Sequence, residues 1–135
     1  MTRDLFSGLR VETPLYLSDA NQLADTELYS VSLNPDTLEA ERTHIATMTG
    51  FPSLDIAIDS RTKIIFGVEA TDGNLCDEAS EMATCGRIIC YDPAGTAGPI
   101  ELGHTGIPRQ ASAAIRDGDL YFTARLSYNM HKIAV

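Results

Sequence analysis

The chain has no tryptophan, three cysteines in 135 residues, and ten Lys and Arg side chains against nineteen Asp and Glu. The scarcity of cations, with a formal charge of -9, speaks against nucleic-acid and anionic-membrane partners, whose phosphates are recognised by Lys and Arg. No apolar run approaches the ~20 residues that a membrane-spanning helix needs. Met1-Thr2-Arg3-Asp4 lacks the apolar core of a secretory leader, so with Met1 as the native start the expected location is the cytoplasm. Long helical stripes are also missing, as are a G-x-S-x-G elbow, a P-loop and a G-x-G-x-x-G turn.

The few cysteines leave two readings open. Cys76 and Cys85 flank "CDEASEMATC", and a bridge between them would stabilise the chain by about 2–3 kcal/mol and imply an oxidising, extracytoplasmic compartment. Three reduced thiols fit equally well. Cys90, inside "RIICY", reads as a small buried residue, and a C-x8-C pair without a nearby His is a poor zinc signature.

What the sequence does contain is short alternating runs bounded by Gly, Pro, Asn and Asp, the pattern of strands and turns. "TGFPS" at 49–53 returns as "TGIPR" at 105–109, and aligning the two brings their flanks into register. "LYSVSLNPDT" (28–37) matches "RIICYDPAGT" (87–96), and "PLYLSD" (14–19) matches "IIFGVE" (64–69) and "DLYFTA" (119–124). The expectation is an all-β chain of about three four-stranded antiparallel units, approximately 5–48, 53–104 and 111–135, the last lacking its fourth strand. First-unit strands are expected near 7–12, 14–18, 27–33 and 42–48, and second-unit strands at 53–58, 63–69, 87–91 and 100–104. Those of the third unit are expected at 111–116, 119–125 and 130–135. Residues 21–27, "NQLADTE", and 77–84, "DEASEMAT", are read as helical turns within loops. A β-sandwich is the competing arrangement.

Leu15-Tyr16, Leu28-Tyr29, Asn34-Pro35, Asp92-Pro93 and Leu120-Tyr121, recurring in this order, resemble blades of β-propellers of the broad NHL, regucalcin and TolB-like kind. Three blades are fewer than the four to eight or so of a closed propeller, so a homodimer, or missing blades on a longer chain, is expected to complete the ring. In such a blade the crossovers 49–53 and 105–109 share one end with the connections 19–27 and 70–86. That end is the expected ligand face, with Ser53, Asp55, Arg109 and Gln110 as candidate binding residues.

The resulting expectation is a non-catalytic binding or interaction module of propeller type, with no cofactor. Asp72, Asn74, Asp77 and Glu78 offer hard oxygen ligands to calcium, without EF-hand spacing. The family resemblance also implies an alternative, a lactonase-like metal-dependent hydrolase whose channel site is completed by a second chain. Of its inner-strand positions only Asp55 suits a metal, beside Ser7, Gln110 or Ser112. His44, His104 and His131 occupy non-equivalent places in the repeat and read as ordinary strand residues.

Overall fold

The computed structural model describes residues 15–21, 25–70, 86–125 and 129–135, and these form ten strands in three antiparallel sheets. The first sheet has the order β1 (Leu15–Asn21), β2 (Asp25–Leu33), β3 (Ala40–Met48). The second has β4 (Ser53–Ile58), β5 (Ile65–Glu69), β6 (Arg87–Tyr91), β7 (Ile100–His104). The third is β8 (Gln110–Arg116), β9 (Asp119–Ala124), β10 (Met130–Ala134). All four second-sheet and all three third-sheet strands, with β2 and β3, therefore fall within two residues of the expected ranges; the strand expected near 7–12 lies outside the described residues.

The sheets stack in chain order, which replaces the sandwich alternative. Every residue of β5 is buried because its two faces serve two neighbours. Ile65, Ile89 and Tyr91 pack back against Leu28, Met48 and Phe51 of the first unit. Phe66, Val68 and Ile88 pack forward against Leu120 and Phe122 of the third. Pleating puts alternate residues on opposite faces, so each sheet has a back face toward the preceding unit and a forward face toward the next.

Residues 19–27 need a correction. β1 runs on to Asn21 and β2 starts at Asp25, with Asp19 opposite Glu27 and Asn21 opposite Asp25. The polar composition that reads as a loop is compatible with a ladder held by main-chain bonds, and Thr26 is polar for a specific reason. Its buried hydroxyl donates to Phe51 O (2.7 Å) and accepts from Ser53 N–H (2.8 Å). At the opposite end of the sheets Asn34, Asp59 and Asp92 each accept main-chain N–H groups through Oδ1, closing Asx turns.

Candidate functional site

The two Thr-Gly-apolar-Pro crossovers lie at one end of the stacked sheets, where the second sheet contributes Glu69 and Arg87. Glu69 is the last residue of β5 and Arg87 the first of β6, so antiparallel pairing brings them together although 18 residues separate them. Arg87 Nε donates to Glu69 Oε2 (2.6 Å), Arg87 N–H to Glu69 Oε1 (3.2 Å), and Nη2 to Glu69 and to Gly50 O. The guanidinium also lies over the Phe51 ring, 5.4 Å from its centroid, and Glu101 stands 3.6 Å from Nη1. Hydrogen bonding to Glu69 holds the Arg87 pKa above its ordinary value, outweighing the opposite effect of partial burial. One cation thus clamps the first crossover onto the second sheet.

Phe51 fits this seam because residue 67 is glycine. A Cβ there would lie 3.1 Å from the Phe51 ring and 3.2 Å from Ile89, so even an alanine would press on the plug by a few tenths of an ångström. Gly50, at φ +65°, turns the chain into the crossover and donates its N–H to Asp25 Oδ1. Ile107 packs in the equivalent seam between the second and third sheets. There Thr105 Oγ1 donates to Gln110 Oε1 (3.0 Å) and lies 3.1 Å from Gly86 O.

Two expected ligand residues are enclosed by this bracing. Ser53 is buried, and its hydroxyl lies within hydrogen-bond reach of Asp55 O (2.7 Å) and Val68 O (3.0 Å). Gln110 is 0% exposed, and its Nε2 donates to Glu69 O (3.2 Å) and Arg87 O (3.3 Å), tying the third sheet to the second. Neither side chain opens onto a channel mouth, because the carbonyls left unpaired where strands leave the ladder take up their polar atoms. Asp55 bridges sheets: Oδ1 accepts from Ile56 N–H and Oδ2 from Ala113 N–H, each at 2.9 Å. Each carboxylate oxygen keeps one lone pair beside its main-chain bond. Arg109 adopts φ +55° and is half-buried in the second crossover, its carbonyl accepting from Arg125 N–H (2.9 Å).

Asp72, Asn74, Asp77, Glu78, Cys76 and Cys85 lie outside the described residues, as does the "DEASEMAT" helical turn. Cys90 is half-buried on the forward face of β6, and desolvation raises its thiol pKa. His44 Nε2 sits 2.5 Å from Glu27 Oε2, and Thr47 donates to the same oxygen at 2.6 Å, on the back face of the first sheet. His104 contacts Glu101 and His131 stacks on Phe122, so the three histidines do not converge. Sequence reasoning passed over the Glu69–Arg87 brace; its only signal is a pair of opposite charges bounding the insert at the facing ends of two apolar strands.

No protein-family model and no curated protein matches the chain. Among solved structures it is similar to a chain in the crystal structure of a nidogen/laminin complex, with a TM-score of 0.61 and 15% identity. The match covers 90% of this chain and 38% of that one. The neighbour's structure contains a β-propeller, and the fold here is an all-β, propeller-like array of three antiparallel sheets.

Proposed function

We propose that the chain is a non-catalytic interaction module made of propeller blades of the NHL, regucalcin and TolB-like kind, forming part of a larger ring and offering its crossover end to a protein partner. The observation that supports this most is the use of the polar side chains there. Ser53, Asp55, Glu69, Arg87 and Gln110 hold loops and sheets together, which makes a rigid platform for the exposed rim. The structural neighbour comes from a complex between two proteins, which accords with this role.

Affinity capture should lose its specific partners on Thr49→Lys with Arg109→Glu at the crossover end, and keep them on Leu38→Glu at the opposite end. Equal loss from both ends, or from neither, would overturn the assignment of the face. Calcium- or zinc-dependent hydrolysis of simple lactones, abolished by Asp55→Ala in a folded protein, would overturn the non-catalytic reading.

A further inference from the structure

At the two terminal sheet faces, positions whose counterparts on the inner strands of a sealed seam are buried stand exposed, whereas on the outer strand β10 Ile133 is 36% exposed even on a sealed face. In the first sheet the back face presents Leu15 opposite Val31 and Leu17 opposite Tyr29. The matching pairs of the second sheet are Ile65 with Tyr91 and Gly67 with Ile89, and those of the third are Leu120 with Ile133 and Phe122 with His131. Ile65 and Leu120 are 0% exposed, yet Leu15 is 38% and Leu17 43% exposed. The forward face of the third sheet is open in the same way. Its pairs are Tyr121 with Lys132 and Thr123 with Met130, standing where the second sheet has Phe66 with Cys90 and Val68 with Ile88. Ile88 is 2% exposed and Met130 is 70% exposed.

Among the described residues, one open face is therefore a back face without a preceding sheet, and the other a forward face without a following one. Their charges also complement each other. Where the second sheet pairs Glu69 with Arg87, the first sets Asp19 directly opposite Glu27, two like charges whose repulsion His44 beside Glu27 offsets only in part. The same face carries Arg42, lying over Tyr29, and His44, which contacts Glu27. By strand alternation the forward face of the third sheet carries Arg116 and Lys132 against Asp119, with Lys132 3.5 Å from Asp119 and Arg116 3.5 Å from Asp117, both at exposed positions.

We propose that the forward face of the third sheet docks on the back face of the first sheet of a second copy of this chain, and reciprocally, closing a ring of six sheets. The contact is head-to-tail, which generates a ring when the rotation closes. Three sheets are too few for the roughly four to eight blades of known propellers, two copies give six, and three copies would exceed the range. The proposal rests on the ring-forming part of the reading above, but the crossover end can bind a partner whichever chain supplies the remaining blades.

The test uses Leu17→Glu and Met130→Lys, both at exposed positions, with circular dichroism to verify folding. Sedimentation of the wild-type chain should give twice the 14.6 kDa of one copy at micromolar concentration, and each variant alone should lose the dimer. Mixing the variants should restore it, because one seam is then wild type and the other pairs the new acid with the new base. A wild-type monomer would overturn the second copy as occupant and leave the faces to further blades of a longer chain. A dimer that survives both substitutions, or variants that fail to recombine, would overturn the pairing of these two faces.

Discussion

The back faces of the first and second sheets share a register and an apolar pattern, yet one is open and the other is sealed. Ile65, Ile89 and Tyr91 are covered by Met48, Leu28 and the Phe51 plug, while Leu15, in the place of Ile65, and Leu17, in that of Gly67, are exposed. The difference lies in the neighbour and not in the strand. A blade is thus half of each of two interfaces, and a row of blades ends in two unsatisfied halves.

The largest effect that should separate the sealed face from the open one comes from the plug. Phe51→Ala empties the seam beside Gly67 and should cost about 4 kcal/mol in urea unfolding. Leu17→Ala, measured where the chain is monomeric, should cost under about 1 kcal/mol, because little new surface reaches water. Equal costs would break the distinction. Arg87→Ala comes next: it leaves the Glu69 carboxylate, whose side chain is 2% exposed, without its cation and should cost about 3 kcal/mol. Lys132→Ala on the open face should stay within about 0.5 kcal/mol.

Gly86→Ala should cost about 2–3 kcal/mol, since φ is +70° and the added Cβ would meet Thr105 Oγ1 at 2.4 Å and Ile107 O at 2.5 Å. The same change at Gly98, with nothing within 4 Å, should be nearly neutral. The smallest effect is acid-dependent. Glu27 has its pKa lowered chiefly by the Thr47 hydroxyl and then by His44. A lowered carboxylate pKa means that its contribution is present above the ordinary glutamate value and is lost as pH falls through the folded one. Thr47→Val should therefore flatten the acid limb of the stability curve in this range, and an unchanged limb would place the origin of acid sensitivity elsewhere.

The fold was legible because strand alternation and the Asn-Pro, Asp-Pro and Thr-Gly-apolar-Pro punctuation are local signals. β4, β6 and β7 fall on the ranges read from sequence for this reason. The candidate site was less legible because a polar residue at the start of an inner strand looks the same whether it faces a ligand or a carbonyl. Ser53 and Gln110 brace the crossovers, and that follows only from which main-chain groups the stacked sheets enclose. Thr26 misled in the opposite direction, reading as loop while serving as a buried tie between units. The Arg87 clamp depends on a pairing across an 18-residue separation that no local pattern encodes.

Methionine oxidation reports most directly on whether the open halves meet. Met48 is 0% exposed and Met130 is 70% exposed, so peroxide should modify Met130 rapidly in dilute protein and leave Met48 intact. As protein concentration rises through the micromolar range, the rate at Met130 should fall toward that of Met48. A Met130 rate that stays fast and independent of concentration would contradict the closure of these faces on one another.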